Sequence, residues 1–343
     1  MTKEQKSLIT IISLLAVILC SVFFLNKAAD NKESETSFFA MDTVMTIKAF
    51  GAKSENAVEA SKEAIIDIEK KLSVTDEKSL VYSLNKSKKA SLDDDLEYLF
   101  SESEYVRDLT DGAFNICIYP IMKEWGFTTG DYNIPSESTL EKLCNLVAES
   151  KINIDKKTKT VSLSKDAMVD FGGIAKGYAT EIAVNVLKKN GVKRALINLG
   201  GNVYAIGKKA DGTPWSIAIQ NPDPSKGYLG TIKVSDKAVI TSGGYERYFE
   251  ENGMVYHHII NPSTGYPASS GASSVTIVSS DPTLADALST SLYICGLEKS
   301  TELWMENSSL FDFIFYDEDG NLFITEGLEN DFKSDHKVQV LKK

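Results

Sequence analysis

Apolar positions after residue 38 alternate between a strand period and a helix period. Residues 43–50 carry the β-branched and apolar side chains typical of a strand, and the next stretch places small and apolar residues on one face at helical spacing. The first pattern predicts a strand over Thr43–Phe50. The second predicts a helix over Ser54–Leu72 whose buried face consists of Ala57, Ser61, Ala64, Ile65, Ile68 and Leu72.

Helices and strands continue to alternate through the middle of the chain. Apolar residues recur at helical spacing over residues 96–109, and the Asp-Gly pair at residues 111–112 ends that helix. Residues 151–164 predict a hairpin around a charged turn. A further helix over residues 179–189 and a strand over residues 195–198 follow.

The C-terminal part combines short β segments with one clear helix. Turns rich in Gly and Pro separate the segments up to residue 279; Asp281 then suits an N-cap, Pro282 the first helical position, and Gly296 the helix end. Two strands around an Asp-Gly turn are predicted over residues 311–325. Mixed elements without a long β-α-β series predict a compact two-lobed α+β domain.

The N-terminus has a different pattern. Residues 8–25 contain no charged residue and follow Lys3 and Lys6, which is typical of a membrane helix with a cytoplasmic N-terminus. We therefore divide the chain into a cytoplasmic segment (1–7), a membrane anchor or signal segment (8–25), a tether (26–37) and an exported domain (38–343). A lipoprotein signal ending at Cys20 is the second choice, because Leu19 stands where a small residue is expected.

Composition narrows the classes of partner. The 343 residues are 43% hydrophobic, which suits a folded core, and the net charge of −11 argues against a nucleic-acid partner. Cys117, Cys144 and Cys295 are widely spaced outside the N-terminal segment, without the spacing of a zinc site. A disulfide framework is not expected, although one pair stays open.

A glycine-rich turn at residues 170–177 precedes a predicted helix. Such a turn lets backbone N–H groups approach an anion at a helix N-terminus. Gly172, Gly173 and Gly177 match neither the Rossmann nor the Walker A spacing. The spacing alone leaves two interpretations open, an anion site or a tight connection.

Asp286, Thr290 and the pair His257-His258 are the other candidates for chemistry. Asp286 and Thr290 are four residues apart on the predicted helix and share a face, so their oxygens suit Mg²⁺. The alternative is that Asp286 complements the helix dipole while Thr290 packs. Successive strand residues face opposite ways, so at most one of the two histidines faces a given cleft.

Taken in order, these segments resemble the ApbE family, the FAD:protein FMN transferases. The resemblance covers residues 38–343. It rests on the sequences MDT at 41–43, TDGAF at 110–114, DFGGIAKG at 170–177, NLGGN at 198–202, TSG at 241–243, HIINP at 258–262 and ADALST at 285–290.

The resemblance implies a magnesium-dependent enzyme that binds FAD and transfers FMN to a threonine of an exported or membrane redox protein, releasing AMP. It also implies a bacterial membrane location with the catalytic domain on the extracytoplasmic side. His258 and Asp286 are the implied catalytic residues, and Gly173, Asp286 and Thr290 the implied metal ligands. The implied FAD-lining residues are Met41, Asp111, Gly112, Ala113, Phe114, Asp170, Lys176, Asn198, Gly200, Gly201 and Ile260.

Two other functions stay open from the sequence. The same site with water as acceptor would make an FAD pyrophosphatase that yields FMN and AMP. A surface protein that binds FAD without catalysis is the other alternative. The chain lacks the Asp-Gly-x-Ser/Thr-Gly-Ala/Ser-Thr acceptor motif, so we do not expect it to carry covalent FMN itself.

Overall fold

The computed structural model describes residues 31–343. Two strands open it, β1 (Glu33–Ala40) and β2 (Thr43–Phe50), which pair antiparallel over their whole length. The bounds of β2 confirm the predicted strand. β1 corrects the predicted tether over residues 26–37, because the folded part begins at Glu33. The polar residues of β1 do not show the apolar alternation that predicts a strand. β1 lies at the edge of the sheet, where one row of backbone groups faces solvent.

Helices make up most of the next hundred residues. The first, α1 (Ser54–Leu72), has the predicted bounds and buries the predicted face except for Ala64, which is half-buried. The predicted second helix is also present and spans Asp94–Leu109. Elements that the pattern did not predict lie among them. In chain order the segment contains α2 (Leu80–Ser87), β3 (Lys89–Ser91), α3 (Asp94–Leu109), α4 (Tyr119–Glu124), α5 (Glu137–Glu149) and the predicted hairpin β4 (Ile152–Asp155) and β5 (Thr160–Leu163).

A nine-stranded sheet runs through the described part of the chain. The later strands are β6 (Arg194–Leu199), β7 (Asn202–Ile206), β8 (Trp215–Gln220), β9 (Tyr228–Val234), β10 (Lys237–Gly243), β11 (Tyr248–Glu251), β12 (Met254–His257), β13 (Ala272–Ser279), β14 (Asp312–Asp317), β15 (Leu322–Thr325), β16 (Phe332–Lys333) and β17 (Val338–Leu341). The large sheet has the order β1-β2-β6-β7-β10-β13-β14-β15-β17. Its neighbours are antiparallel except β15 and β17.

Both faces of this sheet are covered. Along β10, Ala238 and Ile240 belong to the larger core, whereas Val239 belongs to a smaller core that includes Ile232 and Phe332 of the sheet β16-β9-β8. This is the period-2 alternation of a strand with two buried faces. The arrangement agrees with the predicted α+β class; the division into two lobes stays a prediction.

Two helices that pack on each other carry the candidate site. The helix α6 (Ala175–Lys189) begins four residues before the predicted start at residue 179, so the lysine of the glycine turn, Lys176, lies in its first turn. The helix α7 (Pro282–Asn307) starts at the predicted N-cap and continues beyond the predicted end. Gly296, with φ 77° and ψ 174°, breaks it into two helical segments.

In residues 31–343 no helix is long and apolar enough to cross a membrane. The predicted anchor over residues 8–25 falls outside the described residues. Cys117, Cys144 and Cys295 are free thiols.

Candidate active site

Asp286 is the carboxylate around which the site is organised. The first turn of α6 meets the first turns of α7 because Gly177 has no side chain; a Cβ there would lie 2.3 Å from the Pro282 carbonyl oxygen and 2.6 Å from the Asp286 Cβ. The Gly177 N–H donates to Asp286 Oδ2 at 2.8 Å, and the Asn202 amide donates to Oδ1 at 2.9 Å. Asp286 is 4% exposed, so these donors fix its orientation in the protein interior.

Burial and hydrogen bonding act in opposite directions on this carboxyl. Burial raises the pKa of Asp286, while the charge of Lys176 and the donors at Asn202 and Gly177 oppose that rise. A carboxylate offers about four lone-pair positions, and two of them are used here. Asp286 therefore keeps lone pairs for one further ligand.

Residues of two neighbouring segments lie close to Thr290. Thr290 lies one turn after Asp286, and its Oγ1 is 3.3 Å from Ser242 Oγ at the end of β10. Gly173 is opposite: a Cβ there would be 3.2 Å from the Phe114 ring and 4.0 Å from Thr290 Oγ1. A side chain at Gly173 would therefore crowd the Phe114 ring, whereas its contact with Thr290 would be an ordinary van der Waals contact.

This set of donors fits Mg²⁺. Residues 31–343 contain no group of three or more His, Cys, Asp and Glu side chains that could hold a metal ion. Mg²⁺ is typically held by one or two carboxylates together with oxygens of a phosphate ligand and water. One carboxylate, one hydroxyl and a nearby backbone carbonyl match that requirement.

Two adjoining cavities lie above these residues. The inner one, of about 160 Å³, is lined by Asp286 and Thr290 and by the apolar side chains of Phe114, Ile116 and Ile260. The outer one, of about 890 Å³, is large enough for a dinucleotide. The residues that line both cavities form the neck between them, and they are Thr128, Asp170, Gly172, Lys176, Glu246, Arg247 and His258.

Charges in the neck favour an anion despite the acidity of the whole chain. Lys176 and Arg247 both line it, and Lys176 stands at the N-terminus of α6, where the helix dipole is positive. Asp170 accepts a hydrogen bond from the Gly172 N–H at 2.8 Å, and burial raises its pKa against the opposing charge of Arg247. Glu246 is accessible from the cleft, yet desolvation raises its pKa as well.

The two histidines have different environments. His258 lines the neck, and its Nδ1 lies 3.0 Å from the Arg247 carbonyl oxygen. A carbonyl only accepts, so Nδ1 carries the proton and Nε2 is left as an acceptor. Burial, with Arg247 and other positive neighbours, lowers the pKa of His258 to about 4, so the ring is neutral near pH 7. His257 is held by the Ala268 carbonyl oxygen and the Ile259 N–H instead.

The structure brings most of the predicted residues together. Those in the inner cavity or neck are Ala113, Phe114, Asp170, Gly173, Lys176, His258, Ile260, Asp286 and Thr290; those in the outer cavity are Met41, Asn198, Gly200 and Gly201. Asp111 and Gly112 line neither cavity. The Asp111 side chain is 90% exposed and pairs with Lys299 at 3.3 Å. With φ values of 51° and 81°, the two residues form the turn that directs Ala113 and Phe114 inward.

Several residues of the site were not predicted from the sequence. Asn202 and Ser242 contact the predicted metal ligands, and Thr128, Glu246 and Arg247 line the neck. Asn202 and Ser242 lie inside the sequence segments that carry the family resemblance, which was the one signal available for them.

A separate groove of about 850 Å³ lies along β9, β16 and β17. It contains none of the predicted site residues, and only Tyr228 lines both this groove and the outer cavity.

Comparisons with known proteins agree with this geometry. The model of the ApbE family matches residues 41–315. A protein of Treponema pallidum named FAD:protein FMN transferase is 30% identical over 318 residues, 86% of this chain and 88% of its own. A protein of the same name from Klebsiella pneumoniae is 35% identical over 191 residues, 55% of this chain and 58% of that relative, so this match spans little more than half of either protein.

A solved structure extends the likeness to the fold. The ApbE protein of Thermotoga maritima superimposes with a TM-score of 0.82 at 30% identity, and the match covers 88% of this chain and 100% of that one.

Proposed function

The chain belongs to the ApbE family, and from that premise we propose that it is a FAD:protein FMN transferase that uses Mg²⁺ to move FMN from FAD to a threonine of another protein, with release of AMP. The observation that carries the proposal is the hydrogen-bonded Asp286 beside Thr290 and Gly173. These residues line the inner cavity, which meets the outer cavity of dinucleotide size at the neck.

The residues present fit such a reaction. When bound, Mg²⁺ supplies positive charge to the phosphate oxygens. Asp286, Thr290 and the Gly173 carbonyl would hold it, and Asn202 keeps the Asp286 carboxylate in place. Lys176, at the N-terminus of α6, stabilises negative charge on the diphosphate.

The proton of the acceptor needs a base. In the proposed reaction the threonine oxygen forms a bond to the FMN phosphorus while the bond from that phosphorus to the AMP oxygen breaks. The threonine proton passes to Nε2 of His258, and AMP leaves with the electron pair of the broken bond. The backbone carbonyl of Arg247 holds the His258 tautomer that this transfer requires.

A mass measurement tests the proposal. The purified full-length chain is mixed with FAD, Mg²⁺ and an acceptor protein that contains the threonine motif, and both the acceptor mass and free AMP are followed. We expect one FMN added to the acceptor for each AMP released. FMN and AMP without a labelled acceptor would indicate a pyrophosphatase, and bound but unchanged FAD would indicate a binding protein; either result contradicts the transferase.

We also infer a location on the extracytoplasmic side of a bacterial cell membrane. The support is the uncharged run of residues 8–25 after Lys3 and Lys6, together with the acceptors that the family modifies. The intact mass of the chain purified from membranes tests this inference. A mature chain that starts at a lipidated Cys20 would replace the uncleaved anchor with a lipoprotein.

A further inference from the structure

Thr128 has a buried hydroxyl with no hydrogen-bond partner among residues 31–343. Such an atom is uncommon, because a buried hydroxyl without a partner loses its bonds to water and gains none in return. Within the described part of the chain three other side chains share this property, Ser103, Asn221 and Ser235. None of those three lines the cleft, whereas Thr128 lines the neck between the two cavities.

The Tyr119 hydroxyl is a neighbour of Thr128 but does not serve as its hydrogen-bond partner. The Tyr119 hydroxyl is close enough for Thr128 to lower its pKa, against the larger rise caused by burial. The two hydroxyls do not meet hydrogen-bond geometry, however, and Tyr119 donates its own proton to the Val74 carbonyl oxygen at 3.2 Å. The Thr128 hydroxyl is thus without a hydrogen-bond partner among residues 31–343, in a residue that lines the neck.

The backbone beside Thr128 is held in place. The guanidinium of Arg247 donates to the carbonyl oxygen of Phe127, and the next residue is Thr128. Arg247, Lys176 and His258 line the same neck. Arg247 therefore fixes the backbone next to Thr128, and both residues line the neck that a ligand must cross to occupy both cavities.

We propose that the Thr128 hydroxyl forms a hydrogen bond with a polar atom of FAD where the dinucleotide passes from one cavity to the other. This inference rests on the proposed function, since that function names FAD as the ligand. A hydroxyl both donates and accepts, so it can pair with a phosphate, ribityl or ring atom. Thr128 binds the substrate in this account and takes no part in the transfer of the proton.

The role predicts opposite effects on binding and on stability. Thr128→Val keeps the shape of the side chain and removes the hydroxyl. We expect the FAD dissociation constant to rise roughly fivefold, which corresponds to the loss of about one hydrogen bond. The melting temperature of the FAD-free variant should equal or exceed that of the wild type, because an unpaired polar atom has been removed.

Two further variants make the test specific. Thr128→Ser keeps the hydroxyl and should bind FAD as the wild type does. Ser103→Ala removes a partnerless hydroxyl outside the cleft and should leave FAD binding unchanged. Binding is measured by calorimetric titration of the full-length proteins with FAD in buffer containing Mg²⁺ but no acceptor, and chromatography afterwards shows whether FAD stayed intact.

Each outcome decides something. A wild-type protein that does not bind FAD contradicts the proposed function itself. Wild-type binding with equal affinity in Thr128→Val contradicts the role of Thr128 alone, as does equal weakening in Thr128→Ser or in Ser103→Ala. A Thr128→Val protein that melts below the wild type also contradicts it, because the hydroxyl would then have a partner in the protein.

Discussion

Asn202 does not contact the proposed cation, yet it donates to Asp286 Oδ1 at 2.9 Å. Such a neighbour fixes the orientation of the ligating carboxylate, and its loss typically weakens metal binding. We expect Asn202→Ala to raise the Mg²⁺ dissociation constant of the FAD complex by about 10–100-fold. Calorimetric titration with Mg²⁺ measures this directly.

The control for this prediction is Asn190, an asparagine outside the cleft. Asn190 donates its side-chain amide to the Val186 carbonyl oxygen at the C-terminus of α6 and does not line the cleft. Asn190→Ala should leave the Mg²⁺ affinity unchanged. Equal Mg²⁺ affinity in Asn202→Ala and the wild type would show that Asp286 needs no such support.

His258 sets the expected pH dependence. A general base works when it is unprotonated, and burial lowers the pKa of His258 to about 4. As pH falls, kcat/KM should therefore stay level through the ordinary histidine range and decline only near pH 4. His258→Gln should lower kcat by about 10²–10⁴-fold and abolish that decline. A decline centred near pH 6.5 that disappears in His258→Gln would contradict the lowered pKa.

Only part of the site is readable from local spacing. Asp286 and Thr290 could be predicted because four residues along a helix return to the same face. The contacts of Asp286 with Asn202 and Gly177 join residues 84 and 109 positions apart, and no local period encodes them. Asp111 and Gly112 show the opposite case, since motif membership there marks a turn rather than a cavity wall.

The contact between α6 and α7 forms part of the proposed cation site. An alanine at Gly177 would favour the helix by about 1 kcal/mol over glycine, but overpacking against Pro282 and Asp286 costs about 1–3 kcal/mol. We expect the second effect to dominate. Gly177→Ala should lower the melting temperature and weaken Mg²⁺ binding together.

Thermal unfolding with and without Mg²⁺ checks this prediction. A Gly177→Ala protein as stable as the wild type, with the same Mg²⁺ affinity, would show that the two helices can move apart without cost.

Elements with a regular buried face were predicted with the right bounds. The helix α1 and the strand β2 are examples, because their buried residues recur with the period of the helix or the strand. The edge strand β1 overlaps the segment predicted as a tether, because its first five side chains are polar or charged and only backbone pairing with β2 reveals it. Gly296, the predicted end of α7, does interrupt the helix, but the segment beyond it resumes helical geometry and packs Leu303 and Trp304 into the core.

Over the whole molecule, distant segments meet at one cleft. The outer cavity draws on the β1–β2 turn and the β6–β7 turn, where a Cβ at Gly200 would lie 2.4 Å from Thr43. The net charge of −11 repels anions at long range, so Lys176, Arg247 and the N-terminus of α6 must supply the local attraction. The class of fold could be predicted from mixed periodicities. The convergence of these turns could not be predicted from periodicity, and only the family resemblance indicated it.

Asp286 is proposed to bind the Mg²⁺ ion that the transfer of FMN to an acceptor threonine requires. Asp286→Asn keeps the shape of the side chain and removes its charge, so it is the sharpest variant. The acceptor mass is followed for both proteins over a Mg²⁺ titration with saturating FAD. The account predicts an FMN adduct that grows with Mg²⁺ for the wild type and none for Asp286→Asn. An adduct that forms at the same rate in both proteins, or without Mg²⁺, would contradict it.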